Sequence, residues 1–343
     1  MKRNYDHNAL DLFRILATVQ VFLGHFITHF GLPQFTNAVY FIRGVPILFV
    51  LCGFLAARSL DKYTAKDYLF RRAFRILPGF WACIAINTVV IALLYTVPGL
   101  KDGIIYLVTQ FFGLNFYTGD WLRGYGVGTP NGVLWTIGVQ VQFFLIAPMI
   151  HKLLRKLQLT ISTVLIGVLT ALSIAIEKCA NLLPQIGYKL IGVTVVPYLY
   201  FLVLGMAGWI YRDQLIPALE KARWVLLPVF VLWKLAENHL PFPHIFDGVM
   251  YNTVTTLLTA LLIFGFGFSF KWRMKQDLTY GFYLYHMVFI NIAIHLGYKT
   301  LGFDLQSAVV ILAVTVLPIL AAWLSQKLIE NPAAKLAGKK EGV

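Results

Sequence analysis

Leu10 to Phe30 reads LDLFRILATVQVFLGHFITHF, a stretch with the length of a membrane span and two side chains that a span ordinarily avoids, Arg14 and His25. Asp11 lies one turn before the arginine. In a helix the step from Arg14 to His25 makes about three full turns at about 100° per residue, so both side chains share one face, about 16 Å apart along the axis. That face is a stripe with a charge near one end and an imidazole deep inside. A charge near the centre of a span costs on the order of 2.5–3.5 kcal/mol on insertion scales, so such groups face a protein interior or a wet cavity. The rest of the chain is therefore expected to build a cavity against this face.

The whole chain is of the same character. Mean hydropathy is +0.72; hydrophobic residues make up 59% and charged residues 13%, where ordinary soluble domains carry about 25% charged residues. A soluble globular enzyme is not expected. A net charge of +14 would suggest nucleic acid in a soluble protein, but here its distribution between loops matters more than its sum, and no nucleic-acid partner is expected. Lys2 and Arg3 resemble the start of a signal peptide; the length of the run, its Asp11 and Arg14 and the lack of a small-residue cleavage site indicate a retained helix. Cys52, Cys83 and Cys179 are isolated thiols without metal-like spacing, so neither a disulfide framework nor a metal site is expected.

Apolar runs close to 20 residues recur, as about 30 Å of hydrocarbon requires. They cover 10–30, 40–58, 76–96, 133–150, 160–177, 190–211, 224–237, 252–270, 278–298 and 306–328. The expected architecture is an all-α polytopic membrane protein of about ten transmembrane helices around a central cavity, a single domain over 1–343. The seventh run is the weakest, being short and holding Lys234. Lys and Arg at the N-terminus, in the even-numbered gaps and in the tail outnumber those on the other side three to one. The rich side holds Lys2 and Arg3, then Arg58 to Arg75, Lys152 to Lys156, Arg212 to Arg223, Lys271 to Lys275 and Lys327 to Lys340; the poor side holds Arg43, Lys101, Arg123, Lys178, Lys189, Lys234 and Lys299. Such a bias places both termini in the cytoplasm. The chain ends shortly after the tenth run, so no appended domain is expected.

Two gaps stand out. The outer stretch 97–132 carries Phe111, Phe112, Phe116, Tyr117, Trp121 and Tyr125 among glycines, with Asp120 and Arg123. It reads either as an interfacial aromatic belt or as a platform for a sugar or lipid-linked acceptor, since aromatic faces with sparse polar groups suit amphipathic ligands. In the cytoplasmic gap 59–75, Arg71, Arg72 and Arg75 fall just before the third run. They either set orientation or hold the phosphates of a nucleotide-like donor through charge-assisted hydrogen bonds.

These residues also carry a resemblance. Asp11-Leu12-Phe13-Arg14 followed by His25 resembles the opening motif of the membrane acyltransferase-3 family, the integral-membrane O-acyltransferases of bacterial surface polysaccharides. The run from Gly44 to Leu55 is similar to that family's glycine-rich second span, and Arg71-Arg72-Ala73-Phe74-Arg75-Ile76-Leu77-Pro78 to the arginine-rich lead-in to its third. Leu134-Trp135-Thr136-Ile137-Gly138-Val139-Gln140-Val141-Gln142-Phe143-Phe144 stands in the place of its fourth-span motif, Asp277 to His286 in that of the ninth-span motif, and Glu330-Asn331-Pro332 in that of its closing Glu-x-Pro. One departure stands out: Gln140 replaces the family's usual glutamate, keeping the acceptor oxygen but not the charge or the exchangeable proton.

The resemblance implies transfer of an acyl group, most often acetyl, from cytoplasmic acyl-CoA to a hydroxyl of a polysaccharide or lipid-linked glycan, in the cytoplasmic (inner) membrane of a bacterium. No permanently bound cofactor or metal is implied; the partners are acyl-CoA as donor substrate, the glycan acceptor and membrane lipid. The chemistry of the residues agrees. An imidazole with a pKa near about 6.5 takes the proton of a hydroxyl as it attacks a thioester, and His25 is the expected base. His286, near mid-depth in the ninth run, either faces His25 or makes a structural hydrogen bond. His29 reads as interfacial. Arg14 is expected on the donor side with Arg58, Arg71, Arg72 and Arg75, or in an ion pair with Asp11. Asn131, Trp135, Trp121 and Tyr125 are the acceptor-side candidates, with packing as the plainer reading. Gly44, Gly53 and Gly205 are expected at close helix crossings. Two further readings are weighed. Intramembrane Arg and His also suit a proton-coupled transporter, although the two halves show no clear repeat; Gln140 leaves room for a catalytically impaired homologue.

Overall fold

The computed structural model describes residues 5, 8–114, 118–302 and 304–338. Lys2, Arg3, Phe116, Tyr117, Lys339 and Lys340 lie outside the described residues. Among the described residues every extended element is a helix: α1 (Leu10–His29), α2 (Thr36–Val39), α3 (Gly44–Leu60), α4 (Ala65–Leu94), α5 (Leu100–Phe111), α6 (Trp135–Leu154) and α7 (Leu159–Lys178). They are followed by α8 (Gln185–Ile191), α9 (Leu199–Ile210), α10 (Arg212–His239), α11 (Thr253–Gly267), α12 (Thr279–His295), α13 (Leu305–Ser325) and α14 (Asn331–Gly338).

A helix lies on each of the ten apolar runs. Six are long and apolar enough to cross a membrane, or seven if α8 and the segment Val196–Ile210, which meet at a 51° bend, form one broken span. The other three runs lie on α10, which carries charges, and on the shorter α11 and α12. The protein is an all-helical integral membrane protein.

Two sequence expectations are corrected. The third run does not begin at residue 76: α4 starts at Ala65, so Arg71, Arg72 and Arg75 sit on a helix rather than in a loop. The connection 97–132 is not wholly a loop, since apolar residues at helical spacing between 100 and 111 form α5.

The chain forms two compact units. The first comprises Met1–Val19, Phe41–Ala65 and Val139–Lys275. At its centre α3 crosses α9 with backbones in contact. A Cβ added at Gly53 would lie 2.0 Å from the Leu202 carbonyl oxygen, and one at Gly205 2.0 Å from that of Val50. Gly44 is instead the first residue of α3. Beside the crossing, Phe54 packs on Trp209, Phe264 and Phe268 with ring centroids 5.3, 5.6 and 5.7 Å away.

The bend after α8 leaves peptide groups without helical partners. Gln142 of α6 supplies both: its Nε2 donates to the Val193 carbonyl and its Oε1 accepts from the Val195 N–H, each at 3.0 Å. Lys234, the charge that weakened the seventh run, is buried in the 28-residue α10 and donates to Glu237 at 2.8 Å. The other Glu237 oxygen accepts from Thr255.

Just past α3, Asp61 accepts from His151 Nε2 at 2.9 Å, from Trp209 Nε1 at 2.8 Å and from Arg155. Burial pushes its carboxyl up, but the hydrogen bonds from Arg155 and Trp209 outweigh burial and hold the group below the usual carboxylate range.

The second unit comprises Gln20–Tyr40, Lys66–Gly138 and Gln276–Val343. Here three buried asparagines hold the segment before α6. Asn87 donates to the Pro130 carbonyl at 3.0 Å, and Asn291 donates to Pro130 at 2.9 Å and Thr129 at 3.1 Å while accepting from Val127 N–H at 2.9 Å. Asn131 donates to the Leu284 carbonyl at 2.9 Å. α12 and α13 meet where Gly281 leaves room for Ala322, whose Cα would lie 2.8 Å from an added Cβ.

Two predictions follow from these contacts. Gly205→Leu forces α3 and α9 apart and abolishes recovery of a monodisperse detergent-solubilised protein, whereas Gly99→Leu, at a site with nothing within 4 Å, is recovered normally. Asp61→Ala lowers stability by about 1–2 kcal/mol at neutral pH, at the low end for charged hydrogen bonds because the site is partly solvated. Because the folded carboxyl titrates below its ordinary value, that difference is present in full above about pH 4 and is lost as pH falls through the folded value; thermal unfolding of both proteins across pH 3–7 checks it.

Candidate active site

The second unit gathers three imidazoles. His25 and His29 are one turn apart on α1 and their rings lie parallel, with centroids 5.7 Å apart at 10°. His286 comes from α12, its ring centroid 5.6 Å from that of His25 at 42°. Gly24 admits the Tyr40 ring, which a Cβ there would meet at 3.0 Å, and the Tyr40 hydroxyl donates to the Gly24 carbonyl at 3.2 Å. The turn that carries His25 is fixed in this way.

α12 is set just as firmly around His286. The turn of α12 just before His286 is tied down by Asn131 at the Leu284 carbonyl and by the paired hydroxyls of Thr136 and Tyr283, 2.8 Å apart. His286 itself is fully buried, and its Nδ1 donates to the Phe282 carbonyl at 3.2 Å.

The arginines fall into separate places. Arg14, in the first unit, lies 3.7 Å from Asp11, the i,i+3 pair that the sequence allowed; Asp11 also accepts from the Met274 N–H at 3.3 Å. Arg58, in the same unit, lies over the Trp209 ring at 5.7 Å. In the second unit Arg72 lies over Tyr68 at 5.6 Å, and Arg75 is 3.7 Å from Asp277. Arg71 and Arg75 are one turn apart on α4. Near them the Glu330 carboxylate accepts from Ser325 at 2.8 Å and packs at Gly79, where an added Cβ would be 3.2 Å from its Oε1.

The acceptor-side candidates separate too. Tyr125 is fully buried in a cluster with Ile91, Tyr106 and Leu122, with Trp121 packed against it. Asn131 spends its amide on Leu284, since a buried amide in an apolar surround must be paired. Trp135 is the first residue of α6 and half-buried, and Gln140 is half-buried further along the same helix, in the first unit.

The Acyltransferase domain family matches residues 7–326. The chain belongs to the acyltransferase-3 family. Nodulation protein 10 of Rhizobium leguminosarum bv. viciae is 26% identical over 356 residues, spanning 96% of this chain and 94% of that protein. No solved structure matches the chain. In this acyltransferase the approach of His25 to His286 joins the opening motif and the ninth-span motif, which lie far apart in the chain. His29 and Asp277 are the partners that sequence reasoning missed. The i,i+4 spacing of His25 and His29 was a usable signal, whereas nothing local linked Asp277 to Arg75.

Replacing the buried amide tests the packing role of Asn131. Asn131→Leu destabilises the acyltransferase by about 1–3 kcal/mol, because the Leu284 carbonyl loses its amide donor and keeps the weaker Cys83 thiol, and leaves the KM for acceptor unchanged in the fraction that folds. A selective rise in that KM at unchanged stability would return Asn131 to the acceptor site.

Proposed function

We propose that this acyltransferase moves an acyl group, acetyl in the usual case, from cytoplasmic acyl-CoA to a hydroxyl of a polysaccharide or lipid-linked glycan, with His25 as general base. The observation that carries the reading is an intramembrane histidine on a fixed helical turn, beside a second imidazole, in a chain of this family. A hydroxyl is a poor nucleophile until a base removes its proton. In the proposed step the hydroxyl oxygen attacks the thioester carbonyl while His25 takes its proton. The C–S bond then breaks, and His25 returns the proton to the departing sulfur, giving the ester and the CoA thiol. Arg71, Arg72 and Arg75 on α4 are the proposed partners of the donor's phosphates, suited by their planar, permanently charged heads. Trp135 and Trp121 are the proposed acceptor-side residues.

In the same reading the chain crosses a bacterial inner membrane ten times with both termini in the cytoplasm. The three-to-one lysine and arginine bias supports this, and α10 supports a seventh crossing because its lysine is neutralised by Glu237. Gln140 stands where a carboxylate is usual, so its contribution to turnover is part of the test.

The test is CoA release from acetyl-CoA by the purified protein in lipid, with extracted lipid-linked glycans as acceptor. His25→Ala lowers release by at least about 100-fold while the protein stays folded and inserted, and His29→Ala is tolerated. Running the sequence as given beside Gln140→Glu separates two cases: release only from the glutamate form means that Gln140 disables the enzyme, and release from both makes position 140 a tuning site. Silence from both, with an acceptor pool that serves a related enzyme, overturns the reading in favour of a transporter.

A further inference from the structure

We propose that His286 is the positioning residue of His25: its Nε2 lone pair receives the ring N–H of His25 and so determines which nitrogen of His25 is free to act as base. This rests on the acyl-transfer reading above.

His286 Nδ1 lies 3.2 Å from the Phe282 carbonyl oxygen, and a carbonyl only accepts, so Nδ1 carries the proton. The neutral ring then has its lone pair on Nε2. That atom is buried and has no hydrogen-bond partner among the described residues, in a side chain with no exposed surface. Buried acceptors are nearly always paired, so an empty one in a fixed ring points to a donor that arrives or closes in.

The surrounding rings narrow the choice of donor. Phe22, Phe282 and Tyr283 each lie 6.0 Å from His286 between centroids, and His25 lies at 5.6 Å. The two phenylalanines have no polar atom, and the Tyr283 hydroxyl is engaged with Thr136 at 2.8 Å. Among these rings His25 brings the N–H. The pair is close but unbonded, and hydrogen bonds of catalytic groups are often long without substrate and tighten when it binds.

Closing that bond does two things. It holds one His25 nitrogen as a donor, which leaves the other with its lone pair for the acceptor hydroxyl. It also keeps the His25 ring paired after it takes the proton, the role that a carboxylate plays behind the histidine of a hydrolase triad. The proton goes from hydroxyl to His25 to the CoA sulfur; His286 neither gains nor loses one.

Two substitutions distinguish positioning from packing. His286→Phe fits an apolar surround and keeps the ring but removes the lone pair; His286→Gln places an acceptor oxygen near the position of Nε2. Positioning predicts that the Phe variant, with a thermal midpoint no lower than the parent, loses about 100-fold in kcat at unchanged KM for acetyl-CoA, and that the Gln variant recovers about 10-fold of it. Wild-type kcat in the Phe variant overturns the inference. A measurement independent of turnover is the 15N spectrum of histidine-labelled protein, which is expected to show His286 as the Nδ1–H tautomer with coupling across a hydrogen bond to His25. An Nε2–H tautomer overturns the inference even in a protein that turns over. A protein silent in CoA release, with the expected tautomer and coupling, overturns the acyl-transfer reading and leaves the pairing standing.

Discussion

Inside a bilayer a polar group has no water to bond with, so each must be answered from within the protein. Much of the structure of this acyltransferase follows from that constraint. The bend after α8 would orphan peptide groups at Val193 and Val195, and Gln142 of α6 takes both with one amide. The segment from Val127 to Asn131 is irregular, and Asn87 and Asn291 bind its backbone while Asn131 reaches out of it to α12. Lys234 keeps its ammonium in α10 because Glu237 and Thr255 complete a small network around it. Side-chain amides and paired charges act here as fasteners, at points where the helical backbone cannot satisfy itself.

Against that background the exceptions carry information. The Nε2 of His286 is an acceptor held in place on all sides and left unanswered, next to the one intramembrane histidine that the proposed chemistry requires. Aromatic rings surround His286, and a low-dielectric surround strengthens any hydrogen bond formed within it. Two contacts, from Asn131 to Leu284 and from Thr136 to Tyr283, fix the turn of α12 just before this ring. A rigid second helix behind a base is what proton transfer needs, since misplacement by about 1 Å costs about two orders of magnitude in rate.

The arginines show a different logic. Arg75 is held by Asp277 and Arg14 by Asp11, each at 3.7 Å, so a carboxylate restrains each guanidinium. Starting α4 at Ala65 rather than at the apolar boundary puts Arg71 and Arg75 on one face, which a flexible loop would not do.

The sequence by itself determined the helical, membrane-embedded character, the family and the positions of the ten apolar runs, because hydrophobic run length and short motifs are local properties of the chain. It marked His25 and Arg14 because a charge or imidazole in a span is costly wherever the chain goes, and it anticipated the close crossing at Gly53 and Gly205 because only glycine lets two backbones touch. Only the tertiary structure decided that Tyr125 and Asn131 are buried, that Gln142 clamps a broken helix and that His286 comes beside His25. Those outcomes depend on which helix faces which, and that is set by side-chain packing and by the pairing of buried polar groups across long stretches of chain, about which a single sequence carries no local signal.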